Sequence, residues 1–266
     1  MGIVNVTPDS FSDGGKYSQI NLAIAHALKL GEEGASILDI GGESTRPNAT
    51  PVSLQQELDR VIPVVEALVS QVNIPISIDT YKPQVMQAAI NAGASMVNDV
   101  RALQEGAGLE GSALEIVAST NVGVCLMHMQ GTPQTMQQNP QYNDVVNDVK
   151  TFLMARLQAS IDAGVAASRI LLDPGFGFGK TREHNIALLQ NLENFADSGQ
   201  PLLVGLSRKS VLGQISTGQV TSNDIDARLY ASIAASVIAA MKGAKILRVH
   251  DVKATVQALK VVSAIQ

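Results

Sequence analysis

Tryptophan is absent, cysteine occurs once, at Cys125, and aromatic residues make up 3% of the 266 positions. A single thiol cannot close an internal disulfide, and no metal-type cysteine spacing is present. A reducing, cytoplasmic setting is therefore expected. No apolar run approaches the roughly 20 residues that a membrane-spanning helix needs, so no membrane partner is expected. The opening Met1-Gly2-Ile3-Val4-Asn5 lacks a basic stretch followed by an apolar one, and does not read as a secretion signal. Gly2 suits a myristoylation start, but the Ser or Thr wanted at the sixth position is Val6. Charge is sparse too: 16% of residues are charged and the formal net charge is −5. That balance excludes the basic face of a nucleic-acid binder. An anionic small molecule stays open as a substrate, because a local cationic pocket can sit on an acidic protein.

Apolar residues are plentiful by contrast, at 45% of the chain, enough for a large buried core. Short apolar, β-branched runs alternate with longer amphipathic ones. The runs predict strands over 2–6, 36–40, 76–79, 96–98, 122–127, 170–173, 202–205 and 245–249. The stretches between predict helices over 21–33, 53–71, 83–92, 109–120, 143–163, 183–192 and 224–242, with a last one over 252–265. Ser53 and Gln56 have the spacing of a capping box, and Pro83 suits a first helical turn. Gly31, Gly34, Gly93, Gly164 and Gly243 fall where helices should end. Strict β/α alternation implies a parallel sheet with right-handed crossovers. Eight units in this length fit an α/β fold of the closed (β/α)8 TIM-barrel type, as one domain over 1–266. An open doubly wound sheet is the rival, but no dinucleotide fingerprint or linker divides the chain.

The strand ends carry polar residues: Asn5, Asp39, Asp79, Asn98, His128, Asp173, Ser207 and His250. One such residue usually caps the next helix. Eight around one ring point to an active site at the C-terminal mouth. Arg248 and His250 share a face by alternation, and with the following helix start they suggest an anion site for phosphate or diphosphate. A salt bridge from Arg248 to a neighbouring carboxylate is the plainer alternative. Asp79 and Asp173 need donors if buried. A ligand with adjacent N–H groups would supply them in a paired contact. Asn98 can read a mixed donor and acceptor edge, and Lys209 adds a donor or a Schiff-base amine. Together they suit a nitrogen heterocycle. The run 173–180 sets Phe176 and Phe178 among glycines, either as a wall for a flat ligand or as anchors for the loop. The loops over 6–15, with Phe11 and Gly14-Gly15, and 41–50, with Gly41-Gly42, should be mobile when empty.

Taken together, the stretches 1–15, 38–47, 77–83, 97–101, 125–132, 171–180, 202–210 and 248–252 resemble the bacterial dihydropteroate synthases of folate biosynthesis. They run in family order along essentially the whole chain. The resemblance implies that 4-aminobenzoate displaces diphosphate from (7,8-dihydropterin-6-yl)methyl diphosphate. It implies pterin contacts from Asp79, Asn98, Asp173 and Lys209. It assigns diphosphate contacts to Asn5, Thr45, Arg248 and His250, with Asn5 also touching a magnesium ion. It assigns 4-aminobenzoate contacts to Thr45, Pro47, Phe178, Lys209 and Ser210. Sulfonamides are the implied inhibitors, and Phe11 and Pro47 sit where sensitive members have them. A homodimer through late helices is also implied, and the small-residue face in 231–240 would permit close packing. Family members usually carry a short lead before strand one, so Met1 has the look of an internal methionine of a longer product.

The chemistry agrees with the resemblance. A dihydropterin methyl cation is stabilised by the ring nitrogens, so diphosphate can depart ahead of attack. Departure needs the leaving charge neutralised. An aniline-type amine is neutral at pH 7, which explains the absence of a catalytic dyad. Three rivals stay in view. A Schiff-base aldolase would use Lys209, but nothing in the sequence supplies an apolar cage to lower its pKa. A pterin-dependent methyltransferase would not need the Arg248–His250 anion site. A non-catalytic pterin binder would release no diphosphate.

Overall fold

The computed structural model describes residues 1–7, 16–47, 49–218 and 228–265. Eight parallel strands follow one another in chain order: β1 (Gly2–Asn5), β2 (Leu38–Gly41), β3 (Ile76–Asp79), β4 (Met96–Asp99), β5 (Gly123–Met127), β6 (Ile170–Asp173), β7 (Leu202–Val204) and β8 (Ala244–Leu247). Gly2 bridges to Val249 just past β8, and Ile3 N–H donates to the Val249 carbonyl at 3.1 Å. The sheet therefore closes on itself as a (β/α)8 barrel. The helices are α1 (Lys16–Glu32), α2 (Leu54–Val69), α3 (Pro83–Asn91), α4 (Ala113–Ala118), α5 (Val145–Asp162), α6 (Arg182–Gln190), α7 (Glu193–Ala196), α8 (Ser210–Thr217), α9 (Leu229–Met241) and α10 (Val252–Ile265).

Each predicted strand lies within two or three residues of an observed one, and the punctuation is as expected. Ser53 Oγ accepts from Gln56 N–H while Gln56 Oε1 accepts from Ser53 N–H, and Pro83 opens α3. Gly34, Gly93, Gly164 and Gly243 turn left-handed just past helices, whereas Gly31 lies inside α1. Three helices differ from expectation. The stretch 109–111 stays a turn, and α4 starts only after Ser112, whose hydroxyl accepts from Glu115 N–H. The helix expected over 183–192 is α6, which ends at Gln190, and the single turn α7 that follows is a further element. Helix α8 was not anticipated: it is eight residues long with a glycine inside, too short for a periodic signal. The start of the helix expected at 224 and the loop 8–15, including Phe11, lie outside the described residues.

Alternation along the strands sorts side chains into two sets. One set, including Val4, Ile40, Ile78, Val97, Leu126, Leu172 and Val204, faces the helices and forms the main core. The other faces the barrel axis. There Met96, Cys125 and Leu203 pack with Ile37, Leu171 and Ile246 in an apolar plug. Two residues further along the same strand faces come Asp39, Asn98, Met127, Asp173 and Arg248. The plug thus forms the floor beneath a polar mouth.

Candidate active site at the C-terminal mouth of the barrel

Register places Asn5, Gly41, Asp79 and Asn98 side by side across β1 to β4. One guanidinium organises this quarter of the mouth. Arg248 Nε donates to Asp39 Oδ2 at 2.6 Å, and its Nη2 donates to Asp79 Oδ2, also at 2.6 Å. Asn98 Nδ2 donates to the same Asp39 oxygen at 3.1 Å. Asp39 is fully buried, and its other oxygen has no partner among the described residues. Burial pushes Asp79 up to about 7; Arg248 opposes this and the Asp39 charge adds to it. The plainer sequence alternative for Arg248 is therefore what the structure shows: it is already paired with carboxylates. Asp39 was recognised only as a strand end, yet it is the buried hinge that aims Arg248 and Asn98.

Opposite this cluster, Asp173 closes β6. Its Oδ1 accepts from Gly175 N–H at 2.7 Å. Burial raises the Asp173 pKa, while Lys209 and the Gly175 N–H lower it. Lys209 donates to the Phe176 carbonyl and lies 4.5 Å from the centre of the Phe178 ring. Burial draws Lys209 down to about 8, with Asp173 opposing and Arg248 adding. The expectation that nothing cages this lysine is thus corrected: the cage comes from tertiary packing. The two phenylalanines divide the roles left open above. Phe176 is fully buried and anchors the loop, whereas Phe178 stays half-exposed beneath Lys209 as a wall. Gly175 has φ 69°, and a Cβ there would lie 1.9 Å from the His128 carbonyl oxygen, so only glycine fits.

At the β7–β8 side, Ser207 Oγ accepts from His250 N–H at 3.1 Å and lies 3.0 Å from His250 Nδ1. In the Nε2–H tautomer of His250 the hydroxyl that accepts the amide donates to Nδ1, and the ring offers its Nε2–H as a donor. Burial, then Arg248 and Arg208, hold His250 down to about 3. The expected cationic pair is therefore one neutral imidazole beside an already paired arginine. Arg208 sits at φ 58°, a strained setting for a non-glycine residue. Two bonds to Asp251, at 3.0 and 2.6 Å, hold it there and turn the chain so that Lys209 faces inward.

Thr45 is half-buried and Pro47 is exposed on the loop after β2. This loop is anchored at its base. Arg60 donates to the Gly42 carbonyl at 2.7 Å, and Lys82 bridges Glu43, Glu57 and the Val52 carbonyl. Lys82→Met would leave two carboxylates together, one of them 1% exposed. Glu43 can turn toward water, so the loss should fall somewhat below the range for a broken buried pair, at about 2–3 kcal/mol. Urea denaturation checks this; an unchanged midpoint would show that the bridge is not a clamp. Ser210 opens α8 at the rim, and Asn5 is half-buried at the end of β1.

His128 is the strand end that leaves the ring. It has the outward parity of Leu126, and it packs edge-on against Phe152 with 4.9 Å between ring centres. Its Nδ1 lies 2.9 Å from Lys180 Nζ. The inward residue of β5 is Met127, which sequence reading passed over because it is apolar. Counting two residues on from Cys125 would have found it.

The sequence profile of the family described as pterin binding enzyme matches residues 1–250. The dihydropteroate synthase of Escherichia coli K12 is 50% identical over 264 residues, covering 99% of this chain and 90% of that one. The Xanthomonas albilineans dihydropteroate synthase, solved with 4-aminobenzoic acid, superposes with a TM-score of 0.92. It is 52% identical, over 100% of this chain and 92% of that one. The Yersinia pestis enzyme, solved in a complex with a sulfonamide drug, gives 0.91 at 49% identity, covering 100% and 93%. With a family profile over nearly its whole length and half its residues shared, the chain belongs to the pterin-binding enzymes, among the dihydropteroate synthases.

Proposed function

We propose that this mouth joins 4-aminobenzoate to (7,8-dihydropterin-6-yl)methyl diphosphate, giving 7,8-dihydropteroate and diphosphate. The observation that carries the reading is the convergence of buried Asp173 and Asn98 with Asp79 around two cationic side chains, above an apolar plug. The carboxylates keep accepting capacity that these internal donors do not fill, and a pterin edge has N–H groups to fill it. Asp173 accepts two of these, Asn98 and Asp79 take the neighbouring edge, and Lys209 donates from the side. Phe178, with Thr45, Pro47, Lys209 and Ser210, offers a flat wall and a polar rim to 4-aminobenzoate. In the reaction the methylene C–O bond breaks and its electron pair leaves with diphosphate. The amine lone pair forms the C–N bond, and the extra N–H proton goes to solvent or to the departing diphosphate. The carboxylates beside the ring favour the positive charge that develops there. The His250 Nε2–H, Thr45 and Arg248 would receive the leaving oxygens.

Magnesium fits this reading in one respect. It takes oxygen ligands, keeps waters, and binds through one or two protein groups plus substrate phosphates. The Asn5 amide at the end of β1 enters no hydrogen bond among the described residues, so its oxygen is available for such an ion. Bound there, magnesium would neutralise leaving-group charge. The protein's own residues hold the two substrates in line.

The decisive test is diphosphate release that requires both the pterin diphosphate and 4-aminobenzoate. Release without the amine would point to a hydrolase instead. A Schiff-base reaction is the second reading, favoured by the depressed Lys209. Borohydride trapping of a carbonyl substrate on Lys209 would mark it, and none is expected. Sulfonamides share the aniline, flat ring and anionic tail of 4-aminobenzoate. Inhibition competitive with 4-aminobenzoate is therefore expected, and a purely non-competitive pattern would place the drug elsewhere.

A homodimer belongs to the same proposal. The small residues of α9, including Ser232, Ala235, Ser236 and Ala239, are buried against this chain's own core. The outer face instead presents Tyr230 at 80% exposure, with Ile238 and Met241. Such a patch is what a second copy would cover. One domain over 1–266 in the cytoplasm completes the reading; among the described residues no helix is long and apolar enough to cross a membrane.

A further inference from the structure

We propose that Lys180 is a positioning residue for the pterin floor, its buried ammonium fixing the 174–179 turn on which Asp173 and Lys209 both depend. The inference rests on the pterin reading above. Lys180 is 3% exposed, and no carboxylate pairs with it among the described residues. A buried ammonium needs compensation. Burial pulls the Lys180 pKa well down and the Asp173 charge opposes this, while the groups in direct contact are dipoles: the carbonyls of Gly175 at 2.9 Å, Phe178 at 3.0 Å and His128 at 3.4 Å, plus His128 Nδ1 at 2.9 Å. Burial, then the Lys180 charge, hold His128 down to about 3, so the ring is neutral, and in its Nε2–H tautomer Nδ1 accepts from the ammonium.

The turn has no regular secondary structure, yet every carbonyl from 175 to 180 has a side-chain donor. Lys180 serves Gly175 and Phe178. Lys209 serves Phe176, Gln137 serves Gly177, Tyr142 serves Gly179, and Asn185 serves Lys180 itself. Lys180 is the member that takes two of them and ties both to the end of β5. The same turn gives Asp173 its internal N–H partner, at Gly175, and Lys209 its carbonyl partner, at Phe176. Losing the ammonium would orphan the Phe178 carbonyl and the imidazole nitrogen beneath the turn, and would leave the Gly175 carbonyl with only the Phe178 N–H, at 3.1 Å. The Asp173–Lys209 geometry would then relax, while the Ser207–His250 pair, just past β7 and β8, shares none of these bonds.

That separation supplies the test. Lys180→Met keeps the stem and removes the ammonium. By calorimetry, the pterin alcohol should bind at least tenfold more weakly, while inorganic diphosphate with magnesium should bind as it does to the unaltered protein. A merely structural lysine would spare both ligands or weaken both alike. Either pattern, or loss of diphosphate alone, overturns the proposal. If circular dichroism shows that Lys180→Met is unfolded, the double variant Gln137→Ala/Tyr142→Phe removes two other donors from the turn's periphery. It should cost about threefold in pterin affinity with diphosphate unaffected, and unchanged pterin binding there overturns the proposal equally. Failure of the unaltered protein to bind any pterin would instead refute the reading of the pocket itself.

Discussion

Asp173→Ala is expected to weaken pterin binding by tenfold or more while the fold persists. Asp173 is 5% exposed, and Gly175 N–H is its one internal donor among the described residues. The rest of its accepting capacity is left for a ligand. A carboxylate receiving two parallel N–H bonds forms a charge-assisted pair worth about 2–4 kcal/mol. Desolvation already raises its pKa, with Lys209 opposing. Bound N–H donors would favour the charged form, so pterin should pull that pKa down and binding should weaken in acid. Removing the carboxylate also leaves Lys209 without its main stabilising charge, and Lys209 should then titrate below about 8. Calorimetry with the pterin alcohol measures the loss. Unchanged affinity would sink the assignment of Asp173.

Arg248→Ala should have the largest effect on stability. One guanidinium neutralises Asp39 and Asp79 together, and Asp39 is wholly buried. Removing one partner of a buried ion pair typically costs about 3–5 kcal/mol, because the other is left uncompensated. The deficit should depend on pH in a definite direction. Asp79 has a folded pKa of about 7, above its ordinary 3.8. The folded state therefore binds more protons than the unfolded one between those values. The contribution of Asp79 is fully present below about 4 and is lost as pH rises through about 7. Without Arg248, the influence that lowers this pKa is gone, and the window extends upward. Urea denaturation should show a larger deficit at pH 8 than at pH 5; equal deficits would mean the carboxylates are not coupled through Arg248. The variant should also bind the pterin alcohol more weakly. That changes the expectation that Arg248 serves diphosphate alone, since its guanidinium aims Asp79 toward the pterin side.

Much of the barrel was legible because its causes are local. Continuous β-branched runs such as Ile76–Asp79 and Ile170–Asp173 read as doubly buried strands, and both bounds agree with the structure. The Ser53 capping box and Pro83 mark helix starts through bonds made within four residues. Polar strand ends, once the barrel is assumed, mark the mouth. Short elements such as α8 escape, because eight residues make too few turns for a period to show.

What the chain determined by itself is the order and kind of its elements, their punctuation, and which strand ends could carry chemistry. These follow from side-chain shape, backbone conformation and neighbours in sequence. Only the tertiary structure decided how those ends are partnered. Arg248 meets Asp39 and Asp79 across 209 and 169 residues of chain, a pairing that closure of the barrel brings about and no spacing foretells. It turned a supposed cationic pair into a shared ion bridge and a neutral imidazole. It also lowered Lys209 by burial and carried His128 outside the ring onto Lys180. Charge state depends on desolvation and on opposing charges within a few ångströms, and both arise only when distant strands are set side by side.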